Sequence, residues 1–151
     1  MISRRRFTAG VAIALTPLGA RASAQEYKAQ QATRVYRIGF VEAGSAHVNG
    51  HLLNAFRAGM SDRGYTEGRD LVIEARWAEG RTDFFPGLLS ELVQRKVDVL
   101  VVASGAGTLA AKHVTTTVPI VFNAGVDPVA HGLVASLARP GGNMTGLSLA
   151  W

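Results

Sequence analysis

The chain has 151 residues, 48% of them hydrophobic and 18% charged, with a formal net charge of +5. That balance describes a foldable globular chain of one domain plus a leader, and it excludes a disordered one. There are no cysteines, which excludes disulfides, thiolate metal sites and a lipid-anchored cysteine behind a signal.

Residues 1–24 read as an export leader. Arg4-Arg5-Arg6 is a charged n-region, Phe7 to Leu18 a short apolar core, and Ala22-Ser23-Ala24 an A-x-A cleavage site. Ser3-Arg4-Arg5-Arg6-Phe7 resembles the S-R-R-x-F core of twin-arginine signals; an ordinary secretory leader with one extra arginine is the alternative. Cleavage after Ala24 places the mature protein in the periplasm. Arg4, Arg5, Arg6 and Arg21 leave with the leader, so 12 of the 16 basic residues face all 11 acidic ones and the balance falls to +1. Such a charge gives no ground for nucleic-acid binding. Beyond the leader no run of about 18 apolar residues offers a membrane span.

Residues 25–34 are polar and patternless and read as a flexible linker. Val35 to Val41 is the first strand, closed by the small-residue loop Glu42-Ala43-Gly44-Ser45-Ala46. Asn49 is the expected N-cap of a helix whose inner face is Leu52, Leu53, Phe56 and Met60, with Gly64 at its C-terminal end. Leu71 to Trp77 alternates apolar and polar residues, as a strand near a sheet edge does. Asp83 is the expected cap of a second helix, with Pro86 in its first turn and Phe85, Leu88, Leu89, Leu92 and Val93 inward.

Asp98 to Val102 is a short β-branched run suited to a strand buried on both faces. It hands over through Ala103-Ser104-Gly105-Ala106-Gly107-Thr108 to a helix over Leu109 to Val114. Hydroxyls and backbone N–H groups therefore collect at a strand's carboxyl end, where ligands dock in open α/β sheets. Val118 to Phe122 is a fourth strand, ending in Asn123-Ala124-Gly125-Val126-Asp127. Asp127-Pro128 starts a fourth helix with Val129, Leu133, Val134 and Leu137 inward, and Met144 to Leu149 is a fifth strand. Five strands alternating with four helices give an α/β fold: a doubly wound parallel five-stranded sheet in the order 2-1-3-4-5.

Several local patterns have competing readings. Gly105-x-Gly107-x-x-Ala110 with Asp127 further on fits a dinucleotide fingerprint, which would make this a dinucleotide-binding enzyme fragment. It follows the third strand instead of the first, and helix capping already accounts for Asp127. His47 and His51, four apart with Glu42 nearby, lack a third metal ligand and read as solvent-facing. No histidine is placed to activate Ser104, no catalytic set appears, and neither metal nor cofactor is implied.

Longer blocks then fall in one order: Phe56-Arg57-x-Gly59, Gly64-Tyr65-x-Glu67-Gly68, Glu74-x-Arg76-Trp77-Ala78-Glu79-Gly80 and Val101 to Gly105. Thr115 to Phe122, Asp127-Pro128 and Gly132 through Asn143-x-Thr145-Gly146 complete them. Together these blocks resemble the ABC-transporter substrate-binding proteins of the tryptophan/tyrosine-binding type, across essentially the whole chain. The resemblance implies a periplasmic-binding-protein-like type I fold of two similar lobes, with residues 35–151 as the N-terminal one and the second absent. It implies a small amino-acid-like ligand, possessing an aromatic side chain in the members with assigned ligands, handed to an ABC permease in the inner membrane. The ligand would meet Ser104, Gly105, Gly107 and Thr108, with Ser45, Asn123 and Asp127 completing this lobe's share. A single lobe offers half a site, so the chain reads as truncated and binding by an isolated lobe as weak; a remnant that binds nothing usefully is the other outcome, and if no second lobe is encoded beyond Trp151, no heat is expected on titration with aromatic amino acids.

Overall fold

The first strand, β1 (Tyr36–Glu42), is apolar on both sides and lies inside the sheet. The computed structural model describes residues 34–149. The leader, the linker short of Arg34, and Trp151 lie outside them. After β1 come α1 (Ala46–Ser61), β2 (Leu71–Trp77), a 3₁₀ turn (Thr82–Phe84) and α2 (Phe85–Gln94). Then follow β3 (Val99–Ala103), α3 (Gly105–Val114), β4 (Ile120–Ala124) and β5 (Met144–Ser148). All strands are parallel, in the expected order β2-β1-β3-β4-β5.

The handedness of crossovers decides which face each helix covers. The step from β1 to β2 runs one way along the sheet and places α1 on one face. There Leu53, with Phe56 and Met60, packs on Ile38, Phe40, Leu71 and Ile73. Steps from β2 onward run the other way, so α2 and α3 share the opposite face. On that side Phe85, Leu89, Leu92 and Ala111 bury Val41, Leu100, Val102, Ile120 and Phe122. Among the described residues α1 is the one helix on its face, and Val121, Leu147 and Leu149, which point there by strand alternation, remain 41%, 69% and 63% exposed.

Four expectations need correction. First, Ser45 and not Asn49 caps α1: its Oγ accepts the Val48 N–H at 3.3 Å, and the helix starts at Ala46. Second, Asp83 pairs with Arg81 at 2.9 Å and caps nothing, because the 3₁₀ turn carries the chain into α2. Third, α3 begins at Gly105, so the loop after β3 is a single residue, Ser104. Finally, the helix expected after Asp127-Pro128 is one turn only. Asp127 does cap it, but Gly132 adopts φ +61, a left-handed conformation that stops the helix. Leu133 and Val134 still reach the core, whereas Leu137 is exposed.

Candidate functional site

In the sheet register Glu42 lies opposite Ala103, and Val102 opposite Phe122. Strands β1, β3 and β4 therefore end along one edge, and α1 and α3 both begin there. The first N–H groups of a helix have no acceptor within it, and its dipole places partial positive charge at that end.

At α3 the cap is Ser104, whose Oγ accepts the Gly107 N–H at 3.3 Å. Thr108 donates its hydroxyl to the Ser104 carbonyl at 2.6 Å and is fully buried. A Cβ on Gly107 would lie 2.8 Å from the Phe85 ring and 2.9 Å from Val102 Cγ1. Gly107 and Thr108 thus support the turn from beneath, and Ser104, Gly105 and the exposed Ala106 form its outer surface. Gly105 approaches the loop after β4, where its Cβ would meet Val126 at 3.0 Å. The dinucleotide-like glycine spacing accordingly serves helix–sheet packing at its second position.

Ser45 sits half-buried at the head of α1, on the same edge as Ser104. Asn123 is exposed on β4 and lines an apolar groove of about 280 Å³ with Phe40, Leu52, Phe56, Val101 and Ala103. Asp127 stands at the outer end of the β4 loop, its Oδ1 accepting the N–H groups of Val129 and Ala130 at 2.9 and 3.0 Å. Ser45, Ser104, Gly105 and Asp127 thus share one edge, whereas Asn123 opens onto the α1 face and Gly107 and Thr108 face inward.

The sequence reading missed Glu42 as a rim residue. Its Oε2 accepts the Gly44 N–H at 2.6 Å and Asn49 Nδ2 at 2.8 Å. The available signal was a carboxylate closing an apolar strand directly before Ala-Gly-Ser. His51 directs Nδ1 to the Val48 carbonyl at 3.1 Å, and no group of three potential metal ligands occurs among the described residues. Asp98, below β3, has its carboxyl lowered by the Arg37 N–H and then by Arg34.

A parallel 2-1-3-4-5 sheet with two capped helix N-termini along one carboxyl edge is a doubly wound α/β lobe. The family described as ABC transporter substrate binding protein matches residues 41–150, and the chain belongs to it. A tyrosine-binding protein of Clostridioides difficile (strain R20291) is 34% identical over 93 residues, 62% of this chain and 27% of the relative. A conserved domain protein from Vibrio cholerae superposes with TM-score 0.71 at 28% identity, over 78% of this chain and 40% of that one. An ABC domain from Streptococcus pneumonia, solved with L-Trp, gives TM-score 0.68 at 24% identity over 76% and 38%. The chain thus spans well under half the length of these similar proteins.

Proposed function

We propose that this chain is the N-terminal lobe of the solute-binding component of an ABC importer, exported to the periplasm. It binds a small amino-acid-like ligand along the carboxyl ends of β1, β3 and β4 and passes it to an inner-membrane permease. The observation that carries the reading is the match of residues 41–150 to a substrate-binding family, and the likeness to a tyrosine-binding protein supports it. The chemistry of the edge agrees. An anionic ligand group meets the α3 N-terminus at Ser104, Gly105 and Ala106, with Ser45 and the β4 loop at Asp127 flanking it and Asn123 set back on the α1 face of β4. Gly107 and Thr108 shape that turn from below.

Taken by itself, one lobe excludes water from only one side of a ligand, so the affinity of these 151 residues alone is on the order of millimolar or about −4 kcal/mol. The test is ¹H–¹⁵N NMR titration of the full chain with L-tyrosine and L-tryptophan. Shifts confined to Ser45, Ser104–Ala106 and the β4 loop are expected. Saturating amino acid that moves none of these resonances refutes the assignment.

A further inference from the structure

Glu42 is 5% exposed and is the one buried carboxylate among the described residues. None of the ion pairs found there involves it. Burying a carboxylate is unfavourable unless hydrogen bonds meet its charge, so its two donors define its role. One is the Gly44 N–H in the β1–α1 turn and the other is Asn49 Nδ2 in the first turns of α1, and both go to the same oxygen. The turn is tight: a Cβ on Gly44 would lie 2.5 Å from Asn49 Nδ2. The opposite side of the turn is tied to the segment after β2. There the Glu79 N–H donates to the Gly44 carbonyl at 3.1 Å, and the Gly80 N–H to the Ala43 carbonyl at 2.8 Å.

We propose that Glu42 is a positioning residue for the ligand edge. Its carboxylate holds the Ala43–Ser45 rim against the head of α1 and so sets where Ser45 stands relative to Ser104 on the neighbouring strand end. It governs ligand binding without touching the ligand. The proposal rests on the reading that an amino acid docks on this edge. Because one oxygen takes both bonds, a single amide oxygen can replace it, whereas an apolar side chain of similar length cannot.

The experiment compares the full chain as wild type, Glu42→Gln and Glu42→Met by thermal melting, amide exchange and NMR titration with L-tyrosine. In Glu42→Met, Gly44 exchange accelerates about tenfold, the loss of one hydrogen bond, and the Asn49 side-chain NH₂ loses its protection. Tyrosine-induced shifts at Ser45 and Ser104 weaken about fivefold or more in that variant, and Glu42→Gln restores both readouts to within about twofold. Asn49→Leu removes one donor and leaves Glu42 in place; it weakens the tyrosine shifts by an intermediate factor, and it decides the matter if Glu42→Met does not fold. Unchanged Gly44 protection and tyrosine shifts in Glu42→Met, or in Asn49→Leu when Glu42→Met is unfolded, overturn the proposal. So does Glu42→Gln behaving like Glu42→Met, which assigns the effect to charge. If L-tyrosine moves no wild-type resonance, the ligand reading fails, and exchange at Gly44 and Asn49 still decides whether Glu42 holds the rim.

Discussion

Replacing Gly107 by alanine separates helix propensity from packing at the head of α3. In an open helix interior, Gly→Ala stabilises by about 1 kcal/mol, because glycine loses more backbone freedom on folding. At Gly107 the new Cβ arrives 2.8 Å from Phe85 Cε1, 2.9 Å from Val102 Cγ1 and 3.1 Å from Phe85 Cδ1. Phe85 and Val102 are 1% and 0% exposed, so neither can swing into solvent. Overpacking costs about 1–3 kcal/mol, and contacts under 3 Å with two buried side chains put this case in the upper part of that range, about 2–3 kcal/mol, which outweighs the propensity gain and leaves a net loss of about 1–2 kcal/mol. For a domain of this size that is a fall in Tm of roughly 4–8 °C. Gly50 in α1 is the internal control, since a Cβ there meets nothing within 4 Å. Gly50→Ala raises Tm by about 2–4 °C. Thermal melts followed by circular dichroism measure both. A Gly107→Ala variant that melts above wild type would refute the claim that close helix–sheet contact is why glycine stands there.

Asp98 accepts the Arg37 N–H at 2.8 Å and Arg34 at 2.8 Å, which holds its carboxyl below the ordinary value of 3.8. Its stabilisation is therefore complete above 3.8 and lost as pH falls through the lower folded-state value; Asp98→Asn costs about 1 kcal/mol at neutral pH and flattens the acid limb of stability. Denaturant midpoints across pH 2–7, taken as roughly the range over which carboxylates titrate, give the comparison, and parallel acid limbs would contradict it. Val121 and Leu147 form an uncovered apolar strip on the α1 face. Leu147→Lys should lower 1-anilinonaphthalene-8-sulfonate fluorescence and concentration-dependent association while changing stability by no more than about 0.5 kcal/mol. Undiminished dye binding would place the apolar surface elsewhere. Asp127→Ala removes the acceptor for two backbone N–H groups and costs about 1 kcal/mol, seen as a lower urea midpoint. The far-UV helix signal should stay constant, because the capped segment is a single turn.

Ser45 and Ser104 were legible as small polar residues at strand ends, but not as caps: the expected helix starts were Asn49 and Leu109, whereas each hydroxyl caps a helix that begins directly after it. Sequence spacing could not separate the outer surface of the Ser104 turn from its underside. Thr108 looks as available as Ser104 in one dimension, yet one helical turn rotates it into the core, where its hydroxyl bonds the Ser104 carbonyl. Glu42 was hidden for a related reason. Its partners, Gly44 and Asn49, are close in sequence, but their approach depends on how tightly the chain turns between β1 and α1.

Local sequence was enough for the existence and order of the strands and of the helices up to α3, but not for where α1 and α3 begin or for β4, which runs two residues further than expected and takes in Asn123. Apolar runs bounded by turns and right-handed crossovers are short-range rules. The remainder was settled by tertiary packing. Asp127-Pro128 is a strong helix start, but the segment after it must turn at Gly132 to bring Leu133 and Val134 under the sheet, and burial of those side chains outweighs local propensity. Packing also left α1 alone on its face among the described residues, since the single step from β1 to β2 is the one crossover in that direction. Propensity acts between neighbours in the chain, whereas burial and the orientation of a side chain at an edge depend on residues brought together only when the sheet is complete.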